Sequence, residues 1–123
     1  MVFGFDGYLM IHIIRDRATP EQMRDMLEVL EVYIKLAVDV DLGILAGGGE
    51  LHVDCEQMLL SEGCEQANVW GADWYPFQQR VGYESIINIW PSASNRSMEI
   101  QSAALRDRID QIVKSLLGDA QWQ

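Results

Sequence analysis

Gly47-Gly48-Gly49-Glu50-Leu51-His52-Val53-Asp54-Cys55-Glu56 is the stretch whose reading decides the fold. Read with a side-chain period of two, it is a strand. That strand carries Glu50, His52, Asp54 and Glu56 on one face and Leu51, Val53 and Cys55 on the other. A second period competes from Asp54 onward, because Cys55, Met58, Leu59 and Leu60 fit a short helix that Gly63 ends. Asp54 then caps the helix and Gln57 closes the capping box. The first reading makes a row of chemical donors, and the second makes Asp54 structural. His52 and Glu56 share a face in both. Three glycines in a row mark a bulge or a close backbone approach.

Working outward, Ile11 to Ile14 reads as a buried strand. Thr19-Pro20-Glu21-Gln22 is a helix start, with Thr19 as cap and Gln22 completing the box. Met23, Met26, Leu27, Leu30, Tyr33, Ile34 and Ala37 follow at three- and four-residue spacing, which predicts one helix along the whole stripe. Its polar side carries the pairs Arg24/Glu28 and Glu31/Lys35. Ala37 to Val40, the turn Asp41-Leu42-Gly43 and Ile44 to Ala46 read as a hairpin. Two further strands are expected, at Asn68 to Tyr75 and at Tyr83 to Trp90, each stopped by a proline. From Ser102 a last helix places Leu105, Ile109, Ile112, Val113, Leu116 and Leu117 on one face and ends at Gly118. The order β-α-β-β-α-β-β-α predicts a single small α+β domain over residues 10–118, a mainly antiparallel sheet with helices packed on one side. Residues 1–9 read as a disordered extension and residues 119–123 as a tail.

The chain has 123 residues and a formal charge of −10, enough length for one core and an uncommon excess of acid. The excess is uneven: residues 1–66 hold 13 acids against 4 bases, residues 67–123 hold 6 against 5. Phosphate backbones and anionic membranes need clustered Lys and Arg, so neither nucleic acid nor a membrane is expected as a partner. A basic protein or a cation suits this surface better. Cys55 and Cys64 form neither a CxxC pair nor a secreted framework, and buried reduced thiols in a cytoplasmic protein are expected. The start lacks the basic and apolar regions of a signal peptide, and no apolar run reaches transmembrane length.

Four segments taken together resemble a known family: Ile44 to Glu56, Trp70-Gly71-Ala72-Asp73-Trp74, Ile86-Ile87-Asn88-Ile89 and Asn95-Arg96-Ser97-Met98-Glu99-Ile100. They are similar, in the same order, to a family of short uncharacterised bacterial proteins that is frequent in cyanobacteria and classed as a domain of unknown function. The likeness runs from about Met10 to Leu117. It implies a single-domain bacterial cytoplasmic protein, and it implies no activity.

The residues themselves offer three functions. The first is a small self-associating binding or accessory module without catalysis, a homodimer whose acidic surface and tryptophan strands meet a protein partner. The second is a metal-dependent hydrolase or phosphotransfer enzyme. There His52, Asp54 and Glu56 would hold Mg²⁺, Mn²⁺ or Zn²⁺, with Asp73 as base or further ligand and Arg96 on an anionic substrate. The third is a small-ligand binder, with Gly48 in a backbone cradle, Trp70 and Trp74 as stacking faces, and Arg96 as an anion contact. Against the cradle, the glycine run lacks the Lys and Ser/Thr of a P-loop. Trp70 and Trp74 share a strand face and read as core and interface before platform. No nucleophile can be argued, since Cys55 stands between two acids that disfavour a thiolate.

Overall fold

The computed structural model describes residues 10–122, so the expected extension at residues 1–9 lies outside the described residues. Five strands form one antiparallel sheet: β1 (His12–Ile14), β2 (Ile34–Asp39), β3 (Ile44–Gly47), β4 (Val69–Tyr75) and β5 (Arg80–Gly82), in the order β1-β3-β2-β4-β5. Three helices accompany it, α1 (Pro20–Leu27), α2 (His52–Ser61) and α3 (Ala103–Leu117). The α+β class stands, and the string of elements has the expected order, although its last strand, β5, lies at Arg80–Gly82, a stretch that reads in sequence as a polar connection.

The helices, however, do not share one side of the sheet. α1 and α3 cover one face through Met23, Met26, Ile109 and Val113, which meet Ile34, Leu36, Val38, Leu45, Trp70 and Trp74. α2 covers the other face through Cys55 and Leu59, against Ile11, Ala37, Ala46 and Val69. Both faces are apolar because successive residues of the central strands, such as Leu36, Ala37 and Val38, are apolar in turn. The small side chains Ala37 and Ala46 let α2 lie close.

Helix α1 begins as expected: Thr19 Oγ1 accepts from the Gln22 amide at 3.1 Å, and Gln22 Oε1 accepts from the Thr19 amide at 2.9 Å. It stops at Leu27, ten residues short of the expected end at Ala37. Glu31 turns the chain with φ 68°, and Ile34 already lies in a strand. The helical stripe and the strand alternation coincide at Ile34, and the strand prevails because β2 pairs on both sides, with β3 and with β4. Lys35 therefore does not face Glu31; its Nζ donates to the Glu50 carbonyl at 2.9 Å. The hairpin that follows is the expected one. Asp39 Oδ1 accepts from the amides of Asp41 and Leu42, both at 2.9 Å, and Gly43 takes φ +71°.

The strand expected at Tyr83 to Trp90 is absent from the sheet. β5 ends at Gly82, and residues 86–88 form a 3₁₀ turn. In place of a strand, the fully buried Asn88 turns its amide onto β4. Its Oδ1 accepts from the Gly71 amide at 2.7 Å, and its Nδ2 donates to the Gly71 carbonyl at 3.0 Å. One side chain thus supplies the reciprocal bonds a neighbouring backbone would have made. Nδ2 also reaches the carbonyls of Tyr83 and Met98, at 3.1 and 3.2 Å. Buried Asn95 continues the arrangement, donating to the Asn88 and Ser97 carbonyls and accepting from the Gln101 amide.

α3 runs as expected from the Ser102 cap, with Lys114 Nζ 3.3 Å from Asp110 Oδ2. The tail packs as well. Ala120 is buried, Trp122 meets Phe77 edge-on at 5.5 Å, and the Asp119 amide donates to Gln79 Oε1.

The glycine run crosses from β3 to α2 through a space with no room for side chains. A Cβ on Gly47 would stand 2.7 Å from Leu36 Cδ2. Gly48 has φ +108°, and a Cβ there would strike the Met10 carbonyl oxygen and lie 3.0 Å from Met26 Cα. Gly48→Ala is therefore predicted to cost ~2 kcal/mol or more. Gly63→Ala, at φ +95° but in open space, should cost less than half as much. Urea unfolding midpoints of the two variants check this, and equal losses would contradict it.

Candidate functional site

The cap of helix α2 lies three residues earlier than expected. Leu51 is the N-cap residue, and Asp54 sits at the third helical position, where its Oδ2 accepts from the Leu51 amide at 3.3 Å. The expected strand row of Glu50, His52, Asp54 and Glu56 does not exist. On a helix, His52 and Glu56 are one turn apart, while Asp54 points elsewhere. Among the described residues, no group of three His, Cys, Asp or Glu side chains is placed to hold a metal ion.

What the helix does create is a pair that the sequence only half suggests. His52 Nε2 lies 2.7 Å from Asp73 Oδ1, both side chains nearly buried. β4 carries Asp73 on the sheet face that α2 covers, and Lys35 of β2 is its register partner. The same face continues to Tyr33 and Tyr75, which stack at 5.3 Å, with the Arg80 guanidinium 4.1 Å over the Tyr75 ring. Burial, and next the charge of Asp73, raise the Tyr75 hydroxyl above its ordinary pKa. The pair can orient an imidazole and hold its proton, and it also fastens the start of α2 to the sheet. None of the four cavities described on this molecule includes either residue.

The remaining candidates fall apart in space. Gly48 is buried at the crossing and takes the positive φ that the glycine run implied. Trp70 and Trp74 share a strand face as their spacing requires, and that face is the core under α1 and α3. Arg96 is exposed and has no hydrogen bond or ion pair among the described residues.

Glu56 points into a setting the sequence did not reveal. The residue is only 5% exposed, and its carboxylate has no hydrogen-bond or ion-pair partner among the described residues. It lines a cavity of about 310 Å³ with Gln66, Ile86, Ile87, Ile89 and Trp90. Ile86 is 69% exposed, and Ile89 and Met98 also stand in solvent. The missing signal was Asn88: a polar residue inside an isoleucine run, read as strand alternation, is in fact a buried clamp that leaves Ile86 and Ile89 facing outward.

These elements define a small α+β domain with a two-sided helical cover. Residues 12–116 match the family described as Protein of unknown function (DUF5674), and the chain belongs to that family. No curated protein and no solved structure matches it. No helix among the described residues is long and apolar enough to cross a membrane.

The cysteines are free and buried, as expected. Burial, and then the Asp54 charge, push the Cys55 thiol from 9.0 up to about 12. Burial and the neighbouring Asp39 carboxylate push Cys64 up to about 11. A raised thiol pKa means that the folded state keeps protons the unfolded chain loses above pH 9. That contribution to stability is complete below pH 9 and declines as pH rises toward 12. Thermal midpoints should therefore fall over this range, and less steeply in Cys55→Ala; parallel slopes would contradict the assignment.

Proposed function

We propose that the domain is a small binding module that works without catalysis and that it docks a second copy of itself through residues 84–98. The observation that carries this reading is the exposure of Ile86, Ile89 and Met98 on a turn that buried asparagines hold from beneath. Asn88 and Asn95, both buried and bonded to main chain, fix the turn beneath them. Such rigid, unpartnered apolar side chains contribute little to folding and a great deal to an interface core. The two buried free thiols suit a reducing, cytoplasmic setting.

A self-complementary face favours the second copy over an unrelated partner. The stretch walls the cavity that Glu56 lines and also carries Arg96, unpaired among the described residues, and a two-fold axis would match the two twice. The metal-dependent reading has less behind it: His52 meets Asp73, while Asp54 is tied to the Leu51 amide and Glu56 opens into a separate cavity.

Light scattering across a dilution series tests the proposal. The wild type is expected to be a concentration-dependent dimer, and Ile86→Asp a monomer with an unchanged thermal midpoint at low concentration. A wild type that stays monomeric at the highest attainable concentration would sink it, as would a dimer indifferent to Ile86→Asp.

A further inference from the structure

The geometry points to the Glu56 cavity as a socket for a guanidinium on an aliphatic stem, filled by Arg96 of the second copy. This rests on the docking reading above and names the contact that would give it specificity.

The Glu56 carboxylate lines an open cavity with largely apolar walls, a setting in which a cation is its natural complement. No cation among the described residues is paired with it. The side chain one helical turn away, His52, is turned to Asp73. Lys35 is spent on the Glu50 carbonyl, Arg15 on Glu62 and Lys114 on Asp110. The cavity around Glu56 is walled by isoleucines and Trp90. That combination suits a ligand whose stem is apolar and whose end is cationic, which describes an arginine or lysine side chain.

Arg96 is placed to be that ligand across a two-fold axis. Trp90, a wall of the cavity, forms a two-way backbone bridge with Asn95, the residue before Arg96. Met98 follows on the other side, and its carbonyl accepts from the Ser85 amide beside Ile86. Socket and cation thus border the same apolar patch without meeting in one copy. In an isologous dimer each Arg96 enters the partner's cavity, and the two reciprocal pairs offset the repulsion between two chains of charge −10. Glu84 and Glu99, paired as neighbours at the edge of this patch, repel each other and add to its attraction for a cation.

Dimer dissociation constants of the wild type, Glu56→Gln, Arg96→Gln and the double variant, measured by sedimentation, test the inference. Each single change is expected to weaken the dimer roughly tenfold or more. The double change should weaken it no further, since either alone removes both pairs. Glu56→Gln should melt close to the wild type under monomeric conditions, because Glu56 makes no ion pair or hydrogen bond among the described residues that the change would remove. n-Butylguanidinium should dissociate the wild-type dimer where n-pentanol does not. A dimer unaffected by Glu56→Gln or Arg96→Gln would overturn the socket while leaving the docking face standing. Losses that multiply in the double variant would overturn the pairing. A monomeric wild type would overturn both readings.

Discussion

The passage of Gly47, Gly48 and Gly49 between α1 and the β1 end of the chain is the constraint on which the rest depends. β3 lies inside the sheet, flanked by β1 and β2, so the chain leaving it has neighbours on both sides. A Cβ at any of the three positions would come within 3.0 Å of Leu36, Met10 or Ile11. At Gly48, where main chain stands in the way and φ is positive, only bare backbone fits, and its amide donates to the Lys35 carbonyl on the way through. That crossing takes α2 to the face that α1 and α3 leave open. It thereby produces the second core, the His52–Asp73 contact and the inward turn of Glu56.

A second economy operates at the far edge of β4. β5 covers only Asp73 to Tyr75, and the backbone of Gly71 would otherwise face water or nothing. Asn88 meets it with a side chain, and Gly71 makes room, since a Cβ there would press on Ser85. Replacing a strand by an amide frees the residues on either side of it. Ile86 and Ile89 need no longer alternate into a sheet and point outward instead. The polar clamp and the apolar surface are therefore one device, because fixing the former exposes the latter.

The sequence made much of this legible, and the failures have specific causes. Thr19, Ser102 and Gly43 act through local geometry that depends on a few adjacent residues, so the starts of α1 and α3 and the hairpin could be read directly. Residues 28–37 misled because Ile34 satisfies both a helical and a strand period, and only pairing with β3 and β4 decides between them. Tyr83 to Trp90 misled because Asn88 passes for an ordinary polar position when its partner Gly71 lies 17 residues away. The role of Glu56 was hidden for a related reason. A row of donors on a strand and a lone carboxylate on a helix have the same letters, and the helix begins at His52 through the geometry of the glycine crossing. Asp73 was a candidate, but its meeting with His52 depends on tertiary placement across the sheet.

A reciprocal face made of residues 84–98, with Glu56 lining the cavity beside it, would bring two copies of Met98 close to the same residues. A nitroxide attached to Met98→Cys tests this directly, and Cys55 and Cys64 are poor competitors for the label because both are buried with raised pKa values. Labelled protein is mixed with isotope-enriched unlabelled protein, and broadening is read on the unlabelled copy's amides. The account predicts selective loss of signal at Glu56, Ile86, Ile87 and Ile89. Broadening centred on β1, on α3 or spread evenly over the domain would contradict it.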